Sequence, residues 1–286
     1  MSVLLSAVAT LGVIGAGSAS FLYFVGKKFH VEEDPRMKEV EEALPAANCG
    51  GCGFPGCAAF ANACVTSETL DKLNCPVGGQ ETMDRVAEIL GKNAAKSVKQ
   101  IAVVRCSGDC DARPRLNLYD GAYNCSIAAA LYGGDTGCSF GCLGMGDCVE
   151  SCDFDAIHMN PITLLPEVVE DKCTACGACV IACPKDIIEL RNQGPRSRRI
   201  FVSCVNEDKG GPARRSCKVA CIGCSKCYDE CAFDAITIKN NLAYIDYDKC
   251  RLCRKCVPVC PTNSIHELNF PPPREKKPAK AEVAEA

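Results

Sequence analysis

Between positions 2 and 25 the chain carries no charge and is mostly apolar (SVLLSAVATLGVIGAGSASFLYFV). As a helix, a stretch of that length crosses roughly 30 Å of hydrocarbon, which predicts one transmembrane segment. No Lys or Arg precedes it, so it does not read as a cleavable export signal. The first positive charges, Lys27 and Lys28, follow it, and the positive-inside rule then places the long remainder on the cytoplasmic side. Gly12, Gly15, Gly17, Ser18 and Ser20 form a small-residue stretch that lets another membrane helix approach closely.

Two later stretches have the helical period. Residues 32–46 place Met37, Val40, Ala43 and Leu44 on one side of a charged segment, and residues 71–96 do the same with Met83, Val86, Ala87 and Leu90. From 271 onward the chain (PPPREKKPAKAEVAEA) has no aromatic residue and reads as a disordered tail. Between these ends lies an internal duplication. Residues 104–190 contain VRC, then CSFGCLGMGDCVESCDFDAI, then DKCTACGACVIACPKDII; residues 202–268 contain VSC, then CKVACIGCSKCYDECAFDAI, then DKCRLCRKCVPVCPTNSI. Cys106 aligns with Cys204. Cys138, Cys142, Cys148 and Cys152 align with Cys217, Cys221, Cys227 and Cys231, and Cys173, Cys176, Cys179 and Cys183 with Cys250, Cys253, Cys256 and Cys260.

Composition turns this pattern into chemistry. The 286 residues include 26 cysteines and no Trp, and aromatic residues make up 6%, so a large apolar core is not expected and the sulfurs must be held by something. A disulfide framework suits small secreted domains, whereas these spacings are those of metal ligands. A net charge of −3 argues against a nucleic-acid partner.

A Cys-x-x-Cys-x-x-Cys turn supplies three thiolates to a [4Fe–4S] cluster. In two-cluster ferredoxins the distal Cys of each Cys-x-x-Cys-x-x-Cys-x-x-x-Cys-Pro run ligates the other cluster. On that logic Cys152 joins Cys173, Cys176 and Cys179, while Cys183 joins Cys138, Cys142 and Cys148. In the second repeat Cys231 joins Cys250, Cys253 and Cys256, and Cys260 joins Cys221, Cys224 and Cys227. Pro184 and Pro261 follow the distal cysteines as the motif expects, but Asp153 and Ala232 stand at the corresponding places of the other runs. The 138–148 loop departs from the regular spacing, and Cys217 competes with Cys224 as a ligand by alignment. A further set lies in NCGGCGFPGC, where Cys49, Cys52 and Cys57 are completed by Cys75, followed by Pro76. The glycines let bare backbone come close to the cluster. Gly51, Gly53 and Gly56 match a dinucleotide fingerprint by spacing, but the loop follows no strand, and no flavin or NAD site is readable.

At least five [4Fe–4S] clusters are therefore expected. Cys64, Cys106, Cys110, Cys125, Cys204 and Cys217 remain, either as ligands of a sixth cluster, with Cys106, Cys110 and Cys125 as three of them, or as buried small hydrophobes. His30, His158 and His266 are isolated and read as surface residues. Zinc also takes four thiolates, but zinc ribbons pair two Cys-x-x-Cys knuckles, without the third Cys and Cys-Pro seen here. The fold class expected is a small, cofactor-stapled α+β chain. It comprises a transmembrane helix (1–26), an N-terminal [4Fe–4S] domain (27–97), two tandem bacterial-ferredoxin-like modules (98–193 and 194–270) and the tail (271–286).

With a single helix, the NCGGCGFPGC loop completed by Cys75-Pro76, and the ferredoxin-like region, the chain resembles the B subunits of the Rnf ion-translocating ferredoxin:NAD oxidoreductases. The resemblance implies a translocase complex in the cytoplasmic membrane that passes electrons between reduced ferredoxin and NAD⁺ with Na⁺ or H⁺ transport. It further implies that flavin and nicotinamide sites belong to other subunits, that no catalytic residue lies here, and that this chain takes electrons from reduced ferredoxin toward redox groups in the membrane. The coupling ion is not legible. Two alternatives stand beside it: an iron–sulfur subunit of another membrane reductase without ion pumping, and a zinc-stabilised membrane scaffold. Sequence order suggests that the two repeats form the outer part of the relay and that the Cys49–Cys75 site lies nearest the membrane. The connector RNQGPRSRR (191–199), with Arg214 and Arg215, is a cationic stretch that reads either as a solvated loop, the favoured reading, or as a docking patch for an acidic ferredoxin.

Overall fold

The computed structural model describes residues 2–28, 34–96, 98–131 and 133–272, with side chains from residue 11 onward. Helix α1 (Ser2–Lys28) is 27 residues long and exposes Leu11, Val13, Ile14, Phe21, Leu22 and Phe24 on all its sides. Among the described residues no helix is long and apolar enough to cross a membrane; the expected span draws partly on residues 2–10, whose side chains lie outside the description. His30, the start of the expected 32–46 helix and residues 273–286 of the expected tail also lie outside the described residues.

Helix α2 (Pro35–Ala43) begins with Asp34 as its cap: the carboxylate accepts the Arg36 N–H at 2.9 Å, and the Arg36 guanidinium beside it holds its pKa at about 2. Helices α3 (Cys57–Thr66) and α4 (Gly79–Leu90) complete an all-helical unit. Its core is Val40, Leu44, Phe60, Ala61, Cys64, Leu70, Met83 and Val86, so the apolar stripes of α2 and α4 meet across the Ala-rich α3. Lys92 closes the C-terminal end of α3, its Nζ donating to Cys64 O at 2.7 Å and Val65 O at 3.1 Å. Gly91, with φ +63°, ends α4 in the left-handed conformation that glycine adopts without strain.

The first repeat runs β1 (Gln100–Val104), α5 (Cys125–Leu131), α6 (Asp147–Glu150), β2 (Ile157–Met159), β3 (Pro166–Val168), α7 (Ala178–Ala182) and β4 (Ile188–Asn192). The second runs β5 (Arg199–Val202), α8 (Gly210–Ser216), α9 (Lys226–Asp229), β6 (Ile236–Lys239), β7 (Leu242–Ile245) and β8 (Ile265–Leu268). Each folds into two antiparallel ribbons by the same scheme, outer strand with outer strand (β1–β4, β5–β8) and inner with inner (β2–β3, β6–β7). Two-stranded ribbons are marginal alone. Here they lie over small cores in which Cys142 and Cys148, or Cys221, Cys227 and Cys256, are themselves buried members. Ile101 and Val103 of β1 pack against Phe201 of β5, which joins the repeats face to face.

The expected cationic stretch is divided: Arg196, Arg214 and Arg215 are exposed, while Arg191 and Arg199 are buried. Arg191 is fully buried between the repeats, donating to Ile200 O at 3.2 Å and Ile245 O at 2.7 Å and lying over the rings of Phe201, Tyr244 and Tyr247. Arg199 is buried against Glu170, and Arg198 packs on Phe270. A buried guanidinium is tolerable only with such partners, so Arg191 and Arg199 hold the joint together and are withdrawn from any docking surface. His266 is also withdrawn from the surface: it is half-buried beside Phe201, and burial pushes its pKa down.

Candidate cluster sites

The four Cys-rich turns of the repeats share one backbone device. A residue with positive φ stands on each side of the middle position: Ala175 and Gly177, Leu252 and Arg254, Gly223 and Ser225, Gly144 and Gly146. For an L side chain that conformation costs roughly 1–2 kcal/mol, so four repetitions of it mark a turn wound for a purpose. Cys176, Cys253 and Cys224 occupy the middle of three turns. Met145 occupies the middle of the fourth.

That single difference rearranges one site. Cys152, Cys173, Cys176 and Cys179 line one cavity of about 360 Å³, and Cys231, Cys250, Cys253 and Cys256 line its counterpart of about 330 Å³. Cys221, Cys224, Cys227 and Cys260 also stand together: burial pushes the Cys227 thiol up to about 11, and the other three add to the shift. The fourth cavity, about 350 Å³, is lined by Cys142, Cys148 and Cys183 with Cys125. Cys138, expected at this site, is elsewhere. The turn that carries Met145 lacks a middle sulfur, and Cys125 fills that role from the first turn of α5. The carboxylate of Asp147 holds it there, accepting the N–H groups of Cys125 at 2.8 Å and Ser126 at 3.1 Å. Burial works against that carboxylate, yet the two N–H donors hold its pKa below the usual range.

Cys138 lines a further cavity, about 320 Å³, with Cys106, Cys204 and Cys217. These are two pairs of repeat equivalents. The expected grouping of Cys106, Cys110 and Cys125 is not formed, since Cys110 is exposed and Cys125 is at the α5 site. Cys217 does not compete with Cys224, because the two lie at different sites.

In the helical unit, Cys49, Cys52 and Cys57 are half-buried on one loop, while Cys75 is buried. Burial raises the Cys75 thiol pKa, with Cys52 and Cys57 contributing, and its sulfur accepts the Gly78 N–H at 3.3 Å. Asn48 pins the loop by accepting the Cys57 N–H at 2.8 Å. Cys64 is fully buried on α3, and burial pushes its pKa up to about 11, the behaviour of a small hydrophobe.

The sulfur sets follow one another in a row. Gly51 of the first loop lies so close to Cys176 that an added Cβ would stand 2.8 Å from its Cα and carbonyl O. The Cys148 thiol, raised by burial, is raised further by Cys183, Cys125 and also Cys179 of the neighbouring set. Cys142 is near Cys106, Cys204 is near both Cys106 and Cys221, and Cys256 is near Cys227.

The donor chemistry fits iron–sulfur clusters. Four sulfurs surround each described cavity, and backbone N–H groups point at several of them: Ala156 to Cys152 at 3.4 Å, Ala243 to Cys221 at 3.5 Å and Ser264 to Cys260 at 3.3 Å. Such N–H···S contacts orient and tune cluster ligands. Among the described residues no three Cys, His, Asp or Glu side chains converge closely enough for a single metal ion.

Comparison with known proteins agrees. Residues 220–264 match the 4Fe-4S dicluster domain, residues 166–189 the 4Fe-4S binding domain, and residues 44–77 a putative Fe-S cluster family. The chain is 47% identical over 266 residues to the B subunit of the Na(+)-translocating ferredoxin:NAD(+) oxidoreductase complex of Acetobacterium woodii, covering 93% of this chain and 78% of that protein. It is 39% identical to the B subunit of the ion-translocating oxidoreductase complex of Methanosarcina acetivorans, covering 92% of this chain and 98% of the other. It is likewise 39% identical to the B subunit of the proton-translocating ferredoxin:NAD(+) oxidoreductase complex of Clostridium ljungdahlii, covering 94% of each. At these identities over nearly the whole length, the chain belongs to the family of B subunits of the ion-translocating oxidoreductase complexes, the iron–sulfur electron-transfer subunits of the Rnf type.

Proposed function

We propose that this chain takes electrons from reduced ferredoxin and carries them toward redox groups in the membrane, as one component of a ferredoxin:NAD⁺ oxidoreductase coupled to ion transport. The observation that carries the reading is the row of sulfur sets: Gly51 of the first loop lies against Cys176, and from there each set lies near enough to the next for their thiols to influence one another, as far as the end of the second repeat.

In this reading Cys49, Cys52, Cys57 and Cys75 hold one [4Fe–4S] cluster. Cys125, Cys142, Cys148 and Cys183 hold a second, and Cys152, Cys173, Cys176 and Cys179 a third. Cys221, Cys224, Cys227 and Cys260 hold a fourth, and Cys231, Cys250, Cys253 and Cys256 a fifth. Such clusters, when bound, supply one-electron carriers with potentials set by hydrogen bonds to sulfur, burial and charge. The chain holds them in order and shields them unequally: Cys142, Cys148, Cys221 and Cys227 are buried, while Cys224 and Cys253 are exposed.

The two ends of the row differ in a way that suggests direction. At one end Gly51 covers Cys176, and the helical unit behind it follows α1. At 1.5 Å per residue a helix of 27 residues is roughly 40 Å long, comparable to the thickness of a bilayer, and the exposed Leu, Val, Ile and Phe side chains of its described part suit lipid. The assignment of α1 as a single transmembrane anchor, with modules 27–97, 98–193 and 194–270 in the cytoplasm, rests on that and on Lys27 and Lys28. At the other end Cys253 is exposed, and Arg251 and Lys255 beside it are exposed too. An acidic ferredoxin would be steered to that end.

Purification from native membranes without oxygen tests the reading. The expected product is brown, carries iron and acid-labile sulfide in near-equal amounts, bleaches with reduced ferredoxin, and comes with integral-membrane, flavin and NAD-binding subunits. A colourless protein carrying zinc, or one that reduced ferredoxin leaves unbleached, would overturn it.

A further inference from the structure

We propose that Cys106, Cys138, Cys204 and Cys217 hold a sixth [4Fe–4S] cluster across the joint of the two repeats, and that Arg113 is the positioning charge that raises its reduction potential. The proposal deepens the electron-carrier reading and rests on it.

The first support is symmetry. Cys106 aligns with Cys204 and Cys138 with Cys217, so each repeat offers the same two positions to one cavity. That cavity is lined by four thiols, as are three other cavities of the repeats. Its walls are built from both sides. Ser107 Oγ donates to Ser203 O at 3.2 Å, and Lys218 N donates to Ala112 O at 2.9 Å. Asn206, 1% exposed, reaches across: its backbone N–H points at Cys204 Sγ at 3.4 Å and its Nδ2 at Cys138 Sγ at 3.5 Å. Two N–H donors aimed at two sulfurs from different repeats are what a cluster at the joint requires.

The second support is an unanswered charge. Arg113 is 8% exposed, lines this cavity, and its Nε has no hydrogen-bond partner among the described residues. Gly108 and Gly141 make room for it: a Cβ on Gly141 would lie 2.3 Å from Arg113 Nη1. Arg105, the other buried arginine here, is engaged elsewhere by Glu189, Val202 O and Cys204 O. Arg113 forms no ion pair among the described residues, and a buried cation left unpaired is costly. A four-iron cluster on four thiolates is negative and supplies that charge, and each added electron is then favoured by the guanidinium. The site also fills a place in the row. Cys142 on one side is near Cys106, and Cys221 on the other is near Cys204. The relay between repeats therefore passes through a joint that has its own carrier.

The test uses the full-length chain purified without oxygen. Iron and sulfide are counted, and EPR components are followed through a redox titration. Wild type should carry about 24 iron atoms in six clusters. Cys204→Ala and Cys138→Ala should each lose about four irons and the same single EPR component, while Cys110→Ala loses none. Arg113→Gln should keep all the iron but lower the potential of that component alone, by about tenfold in its reduction equilibrium, or about 59 mV for one electron. Arg113→Lys should recover most of the shift. Full iron retention in both cysteine variants, or loss of unrelated components instead, overturns the site; an unmoved potential in Arg113→Gln overturns the role of Arg113. A chain that binds no iron in any form fails earlier, at the electron-carrier reading itself.

Discussion

The turns at 173–179 and 250–256 are the same turn in two copies, and they have opposite surroundings. The first reads CTACGAC: it carries no charge, and Gly51 of the N-terminal loop lies against the backbone of Cys176. The second reads CRLCRKC: Cys253 is open to solvent, with Arg251 and Lys255 exposed on either side of it and Arg254 tied to Glu267. Duplication produced two equivalent ends. Small residues let one receive another part of the same chain, and cations surround the other, which is the proposed landing site for ferredoxin. The other pair of turns diverged within the same frame. CLGMGDC at 142–148 keeps the two left-handed glycines but lost the middle sulfur that CIGCSKC at 221–227 retains.

The largest effect is expected where that divergence is sharpest. Cys125→Ala should remove the cluster of the α5 site, about four irons, and stop electron passage between the repeats' outer clusters. Adding Met145→Cys should restore it, because Met145 stands where Cys224 stands and its turn is already wound for a ligand. Iron counting with EPR reads both results. Failure of the double variant to regain iron would break the equivalence of the two turns.

Next in size is the socket. Gly51→Val forces side-chain atoms into the Cys176 backbone, an overpacking that costs about 1–3 kcal/mol and drives the helical unit off the first repeat. Reduction of the N-terminal cluster by ferredoxin should slow while the repeats' clusters reduce at the wild-type rate. Gly53→Ala is the control. Nothing lies within 4 Å of an added Cβ there, and the φ of +84° carries only backbone strain. Equal slowing in both variants would mean that the contact at Cys176 is not the link.

The landing site should respond to salt. Arg251→Glu with Lys255→Glu should slow electron uptake from reduced ferredoxin by about tenfold at low ionic strength, and the difference should shrink as salt screens the charges. Stopped-flow reduction at two salt concentrations measures it. A rate that does not change at low salt would remove the Cys253 end as the point of entry.

Much of this arrangement could be read from local spacing. The turns at 173–179 and 250–256, their distal partners Cys152 and Cys231, and the apolar faces of α2 and α4 are regular patterns of short period. The α5 site was not legible, because Cys125 lies in an irregular stretch far from its partners and is brought to them by one carboxylate, that of Asp147. Yet a signal was present: in the register that aligns Cys142 with Cys221 and Cys148 with Cys227, Met145 falls on Cys224, which announces a missing ligand. The same register pairs Cys106 with Cys204 and Cys138 with Cys217, but that these pairs face each other depends on how the ribbons pack. The placement of the connector's charge was not legible either. Composition shows arginines, while only the structure shows Arg191 and Arg199 buried on carbonyls, rings and Glu170.

Asp147 is where the substitute ligand can be loosened without touching a sulfur. Its counterpart in the second repeat is Lys226, which has no helix start to hold, because Cys224 comes from the turn itself. Removing an acidic cap from the first turn of a helix costs about 1 kcal/mol. Asp147→Ala should therefore leave all clusters assembled but make the α5 site the first to lose iron to a chelator, with the 221–260 site unchanged. Asp147→Asn, which still accepts hydrogen bonds, should fall between the two. Iron release followed by EPR component separates these outcomes, and equal lability of both sites in Asp147→Ala would mean that Cys125 is held by the packing of α5, not by this carboxylate.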